Sequence, residues 1–449
     1  MEMNGTGAPG GRVGRLLRRL RAATPGPGGW RRRGWRTPGV LAALGGVPCG
    51  AAAAEMPEPG ECARARIARG AVPPGIALVA VAAALRVTRA GVTVRLLAED
   101  GAILDHLWCP PRAAPYDLAV FGDARAAVLR LGHAAPDSAA TLLAARVLGF
   151  SGDSLDPARL LPQRDPAVAA DWPRDPYGEP TAEDAAGRLR NLVFERLAQP
   201  VTVPWLGDLR LRLEPGDEQS RCLMKSGLYE PEGLHVVGRR LAAGGVFVDV
   251  GANCGLYTLF AARAVGRAGR VVAFEPSPRE FRRLRDAVAL NGFTQVALHQ
   301  AAVSDAPGVV TLRIAEPGFA GHNTMAERFA YDRVVAAEVA SVPAVTLDAA
   351  LAALPRLDMI KLDIEGAELR ALRGAAATLA RLRPALLLEV YEDALAGNGA
   401  TVRDLVGWLD AQGYRLHDID PRTGAVRAGA RFPAGVNKNV LALPRRARP

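Results

Sequence analysis

VFVDVGANCGLYT, residues Val246 to Thr258, decides the fold, and VVAFEPSP, Val271 to Pro278, follows it at nucleotide-site distance. Val246, Val248 and Val250 alternate with Phe247 and Asp249 as in a buried parallel strand, and the turn Gly251-x-x-x-Gly255 then feeds an Ala/Leu-rich helix. Gly251 and Gly255 let the backbone turn sharply and approach a ligand, while the helix start offers unpaired N–H groups to it. The pattern is strand, glycine turn, helix, and it is built to hold a cofactor.

The residues around the glycines choose the cofactor. A dinucleotide turn would read G-x-G-x-x-G, but Asn253 occupies the place of the middle glycine. Asp249 at the mouth of the strand would repel a pyrophosphate and suits a ligand carrying an ammonium and a sulfonium, as S-adenosylmethionine does. Glu275 ends the second apolar strand about 20 residues after the turn, where an acid accepts hydrogen bonds from ribose hydroxyls. These residues read as an S-adenosylmethionine pocket.

Downstream, strand and helix patterns alternate: RVVAFE, PREFRRLRDAVALNG, VALHQAAVS, MIKLDIEG, AELRALRGAAATLARL, ALLLEVY, VRDLVGWLDAQG, and the late strands YRLHDID and NVLALP. Such alternation predicts an α/β fold, a mostly parallel sheet with helices on both faces and ligands beyond the carboxyl ends of the strands. Asp249, Glu275, Asp363 and Glu389 each fall at or near such an end.

The blocks VDVGANCGLYTL, AFEPSPREFRRL, LNGFTQVALHQAAVSD and IKLDIEGAELRALRGA, in this order, resemble the FkbM family of methyltransferases over roughly residues 220 to 445, with GLYEPEG as a fitting lead-in. The resemblance implies a Rossmann-like class I fold that uses S-adenosylmethionine. It also implies methyl transfer to a hydroxyl of a sugar, a lipid-linked glycan or a polyketide-type product. Carried over by position, Asp249, Gly251, Asn253 and Gly255 would hold the methionine part, Glu275 the ribose, and Ser304 with Asp305 the adenine.

Methyl transfer to an alcohol is an in-line displacement and needs a group that helps the hydroxyl lose its proton. KLDIEGAE offers Asp363 at a strand end as first choice for orienting the acceptor or taking its proton; Glu389 faces the same cleft, and Glu368 needs only a structural role at a helix start. His322, in the Gly-rich segment GFAGHNTM, is the histidine near a loop able to cover the site. No ligand spacing demands a metal, although Asp363, Glu365, Glu389 and His322 are the types that would bind one. Two rival readings share the same pocket: an N-methyltransferase, and a non-catalytic S-adenosylmethionine-binding scaffold, which the intact set of glycines and acids disfavours. With no aromatic cluster visible near the site, a hydroxyl-rich acceptor is preferred to a flat aromatic one.

The chain of 449 residues has room for more than one domain. Residues 1–74, rich in Gly, Pro, Ala and Arg, read as a tail without structure. Residues 75–150 read as a small accessory region, with SAATLLAARVLGF as its helix candidate. The Pro-rich stretch 151–180 reads as a linker, and 181–449 as the methyltransferase domain, opening on a helix capped by Thr181. The +10 net charge sits mostly in the tail, where the first 75 residues hold twelve arginines and four acids, so a nucleic-acid partner is not expected. Its segment RLLRRLR, Arg15 to Arg21, reads as a solvated basic stretch, and GIALVAVAAAL, Gly75 to Leu85, is about half the length of a membrane span. Five scattered cysteines form neither a disulfide framework nor a zinc pattern and suit a reducing cytoplasm. The identity of the acceptor and the oligomeric state are not written in the sequence.

Overall fold

Buried apolar strands build two separate compact units in this computed structural model, which describes residues 36–445 apart from 51, 56, 58–60, 69–71, 90, 124, 134–138, 170–171 and 173–183. The first unit comprises Met1–Leu160 with Gly178–Arg196, and the second Leu161–Tyr177 with Leu197–Pro449.

In the first unit, helix α1 (Thr37–Ala43) precedes strands β1 (Val47–Gly50), β2 (Ala52–Glu55), β3 (Glu61–Ile67), β4 (Ile76–Arg89), β5 (Val92–Ala98), β6 (Ile103–Cys109), β7 (Tyr116–Gly122), β8 (Ala126–His133) and β9 (Ala139–Ser151). Helices α2 (Pro157–Leu160) and α3 (Ala185–Glu195) complete it. Two sheets, ordered β1-β9-β4-β7 and β2-β3-β8-β5-β6, share one core that includes Val81, Leu85, Val94, Leu118 and Leu129. This corrects three expectations. Residues 37–67 carry a helix and three strands where a structureless tail was expected, because ECARARI alternates and buries Ala65 and Ile67; residues 1–35 lie outside the described residues. SAATLLAARVLGF is strand β9, since its ladder with β4 from Ser151 to Ala139 overrides the helix preference of Ala and Leu. Helix α3 belongs to the first unit and is capped by Asp184, which accepts from Gly187 N, while Thr181 lies outside the described residues. The boundary placed at residue 181 therefore moves to about 197, and part of the expected linker is helical, with a 3-10 turn at Gly152–Leu155 before α2.

The second unit opens with the hairpin β10 (Val201–Trp205) and β11 (Leu209–Leu213), then α4 (Glu218–Ser226) and α5 (Pro231–Arg240). Gly227 and Glu230, both at positive φ, separate these two helices. Next come β12 (Val246–Val250), α6 (Leu256–Val265), β13 (Arg270–Phe274), α7 (Pro278–Leu290), β14 (Val296–His299), β15 (Ala302–Val303), β16 (Gly308–Ala315) and β17 (Ala336–Val345). After these follow α8 (Leu347–Ala350), β18 (Met359–Leu362), α9 (Glu368–Arg373), α10 (Ala376–Leu382), β19 (Ala385–Val390), α11 (Glu392–Gly397), α12 (Val402–Ala411), β20 (Tyr414–Ile419), β21 (Val426–Ala428) and β22 (Lys438–Pro444).

Eight strands form one mixed sheet in the order β14-β13-β12-β18-β19-β22-β20-β21. From β14 to β19 neighbours run parallel, and β22, β20 and β21 pair antiparallel. Val248 sits opposite both Val272 and Ile360, and with Val250, Leu362 and Leu388 it packs against Leu369, Leu372, Leu379, Leu405 and Leu409 from α9, α10 and α12. The alternate residue Asp249 points to the opposite face, where Thr258 of α6 donates to it. The chain leaves β12 toward β13 on one side and returns to β18 on the other, so the strand order reverses at β12 and a cleft opens beyond these strand ends. A three-stranded sheet, β15-β17-β16, which the sequence did not announce, inserts between β14 and β18.

Candidate functional site

The turn after β12 is shaped by a close approach. Gly251 has φ +79°, and a Cβ there would lie 1.9 Å from the carbonyl oxygen of Asp363, so the glycine turn rests directly on the loop after β18. Gly255, at φ +100°, starts α6 where a Cβ would meet Leu284 at 2.8 Å. Asn253 takes φ +49°, a left-handed conformation that Asn tolerates better than most side chains. Its N–H donates to Glu275 Oε2 at 2.9 Å, and its amide reaches the Ala320 carbonyl at 3.4 Å. The other Glu275 oxygen accepts from Ser277 N at 2.8 Å. Burial raises the Glu275 pKa, and the two backbone donors work to lower it.

These residues border a cleft of about 660 Å³. Gly251, Asn253, Glu275, His322, Asp363 and Glu389 line it. Asp249 lies behind the wall, fully buried, with Oδ2 accepting from Thr258 Oγ1 at 2.6 Å and Oδ1 without a hydrogen-bond partner. Ser304 and Asp305, expected beside an adenine, are not among the residues that line the cleft. Ala301, Ala302 and Val303 line it, while Ser304 Oγ donates to Asp305 at 2.9 Å and Arg370 approaches the same carboxyl at 3.5 Å. The turn acid is held by its neighbours instead of being presented to the cleft.

At the far end, Lys361 is the buried cation. Its Nζ lies 2.9 Å from Asp363 Oδ2 and 4.7 Å from the centre of the Tyr257 ring. Burial opposes its charge, but Asp363, Asp249 and Glu230 raise its pKa above the usual lysine value. Glu230, at φ +46°, accepts from Tyr257 Oη at 2.8 Å, and burial lifts its pKa to about 7. Glu389 is raised well above the carboxylate range by burial and by its acidic neighbours. It therefore carries the proton of the Asp363–Glu389 pair and donates it to Asp363, whose own pKa is held down against burial by Lys361 and this bond. Asn437 Nδ2 donates to Glu389 Oε1 at 2.6 Å.

Glu230, Asp363 and Glu389 each bring one oxygen within 4.8 Å of the others. The Lys361 ammonium lies beside the same acids.

On the other side of the cleft the loop after β18 turns sharply at Glu365, φ +51°, and Glu368 clamps it by accepting from Ile364 N at 3.0 Å and Gly366 N at 3.3 Å. Glu365 Oε1 lies 2.9 Å from His322 Nδ1. His322 belongs to the 3-10 turn Pro317–His322 between β16 and β17, and Thr324 Oγ1 ties this segment to the Glu365 carbonyl at 3.1 Å. Burial works against the imidazolium, yet Glu365 outweighs it and holds the His322 pKa above its ordinary value. With Nδ1 engaged by the carboxylate, Nε2 is the nitrogen left to accept a proton.

Sequence reasoning missed Glu230, Lys361, Glu365 as a histidine partner, Tyr331 and Asn437. Of these, Lys361 and Glu365 carried a signal, lying one residue before and three after the end of β18 at Leu362. The aromatic residues are a correction: Tyr229, Tyr257, Phe319 and Tyr331, from four distant segments, all line the cleft.

Residues 249–416 match the methyltransferase FkbM domain. No curated protein sequence matches the chain. Among solved structures, methyltransferase FkbM from Methylobacillus flagellatus KT is similar at 14% identity and TM-score 0.29, the match covering 51% of this chain and 65% of that one. Precorrin-6y C5,15-methyltransferase from Geobacter metallireducens GS-15 is similar at 15% identity and TM-score 0.28, over 48% and 87%. The ribosomal protein L11 methylase from Lactobacillus delbrueckii subsp. bulgaricus is similar at 16% identity and TM-score 0.27, over 48% and 78%. The chain thus spans just under two thirds of the FkbM structure it matches, and likenesses of this strength do not bear on the reaction.

Proposed function

Residues 249–416 are a methyltransferase FkbM domain, and from that premise we propose that the chain is an S-adenosylmethionine-dependent O-methyltransferase acting on a hydroxyl of a sugar, glycan or secondary metabolite. The observation that carries this reading is the His322–Glu365 pair, set on the same cleft as the glycine turn and Glu275.

The residues suit the cofactor. Gly251 leaves the approach to the β18 loop that any side chain would fill, and Asn253 and Glu275 stand together at the adjoining wall. When bound, S-adenosylmethionine supplies an electrophilic methyl group on a sulfonium. Gly251, Asn253 and Glu275 hold it, with Asp249 bracing the strand from behind. Asp363, ionised beside Lys361 and accepting a hydrogen bond from the protonated Glu389, keeps a lone pair with which it accepts from and orients the acceptor hydroxyl. His322 takes the hydroxyl proton at Nε2, and Glu365 stabilises the imidazolium that results. The carboxyls of Glu230 and Glu389 and the amide of Asn437 suit a ligand with several hydroxyls.

All five cysteines are free thiols, which suits a reducing compartment such as the cytoplasm. Among the described residues no helix is long and apolar enough to cross a membrane.

The test incubates the full chain with methyl-labelled S-adenosylmethionine and parallel panels of glycans, hydroxylated metabolites and amines. Label on a hydroxyl oxygen, lost in His322→Gln, supports the reading; label confined to amines, or turnover retained by His322→Gln, defeats it.

A further inference from the structure

Glu365 alone does not fix the imidazole. A single hydrogen bond through Nδ1 can be broken by rotation of the ring about Cβ–Cγ, after which either nitrogen can carry the proton, and a base must be held in a defined pose to be efficient. Tyr331 supplies the second constraint. Its ring centre lies 4.7 Å from that of His322, tilted by 54°, and the same ring stacks on Tyr391 at 5.2 Å and 18°. Tyr331 Oη accepts from Asn437 Nδ2 at 3.0 Å, and the same amide donates to Glu389 Oε1 at 2.6 Å. An amide NH2 has two hydrogens, and Asn437 spends one on each partner.

The contacts make a continuous path: Glu365, His322, Tyr331, Asn437, Glu389, Asp363. It begins and ends on the one loop after β18. Asn437 lies beyond residue 416, where the family match ends.

We propose that Tyr331 is the positioning residue for His322, and that through Asn437 it links the base to the Asp363–Glu389 pair, so that seating the acceptor and aligning the base are one event. This rests on the reading of His322 as the base. The Tyr331 ring is packed against His322 and Tyr391, and its hydroxyl accepts from Asn437. Burial, together with the Glu365 charge, drives its pKa above the usual tyrosine value, which keeps it neutral and unsuited to be a base itself. The groups acting on His322 are Glu365 and Glu218 on the acidic side and Arg333 on the basic side.

The experiment reads the nitrogen shifts of His322 in the full chain by NMR, with His322→Gln for assignment. Wild type is expected to show one tautomer, protonated at Nδ1. Tyr331→Phe keeps the ring and is expected to keep that tautomer; Tyr331→Ala is expected to give a mixture of both. Asn437→Ala, which does not touch His322, is expected to give a partial mixture. A folded Tyr331→Ala that retains the single tautomer overturns the positioning role, and Tyr331→Leu serves if the alanine variant does not fold. An unchanged His322 spectrum in Asn437→Ala overturns the link. Calorimetry with S-adenosylmethionine runs alongside. Equal affinity in all variants is expected, and a parallel loss of affinity in Tyr331→Ala overturns the role by making Tyr331 part of the cofactor wall. Loss of binding in wild type would defeat the proposed function while leaving the tautomer result readable.

Discussion

His322 Nδ1 and Glu365 Oε1 meet at 2.9 Å from positions 43 residues apart, joining the segment between β16 and β17 to the loop after β18. The pair makes the neutral imidazole a stronger base than a free histidine, because the carboxylate stabilises the protonated form. The base is active when neutral, so kcat/KM should rise with pH through a value above the ordinary ~6.5. In Glu365→Gln the stabilising charge is gone and burial is left, so the acid limb should move to lower pH. The rate should fall about 10²-fold. A pH–rate profile checks both; an unmoved limb would dissociate Glu365 from the base.

Lys361→Met removes the cation among Asp249, Glu230 and Asp363. Breaking a buried pair from one side costs about 3 kcal/mol or more. Without Lys361 the Asp363 carboxyl is raised by burial instead of lowered. The variant then loses stability as pH rises through that pKa, so its deficit should be larger at pH 8 than at pH 5. Denaturant unfolding at the two pH values measures it.

Gly251→Ala places a Cβ 1.9 Å from the Asp363 carbonyl oxygen at φ +79°. Backbone on both sides must move, so S-adenosylmethionine affinity should fall by about 10²-fold or more, corresponding to roughly 3 kcal/mol of strain. Isothermal calorimetry reads it.

Asp249→Asn preserves shape but removes a charge that faces Lys361 from behind the cleft wall. Since Asp249 does not line the cleft, the fall in Tm should exceed what the change in cofactor affinity accounts for. Thermal melts with and without S-adenosylmethionine separate the two.

The central sheet was legible because its strands are buried on both faces and announce themselves as short apolar runs ending in Gly251, Glu275, Asp363 and Glu389. The first unit was legible only in part: IALVAVAAALRV and VTVRLLA read as the strands they are, β4 and β5, whereas the Ala-rich β9 carries little periodicity, and what makes it a strand is a ladder between residues as distant as Ile76 and Ser151. The candidate site divides in the same way. Gly251, Asn253 and Glu275 sit in local motifs, whereas the partnership of His322 with Glu365, and of Tyr331 with Asn437, depends on a hairpin insertion that brings distant loops together. Asp305 shows the reverse failure: an acid in the expected place after a strand was turned aside by Ser304 and Arg370.

Calorimetric titration of the full chain with S-adenosylmethionine, with NAD as the control nucleotide, tests the central claim most directly. Saturable one-to-one binding of S-adenosylmethionine, weakened in Gly251→Ala and absent for NAD, is the result predicted. A folded chain that binds NAD instead, or binds neither, would contradict it.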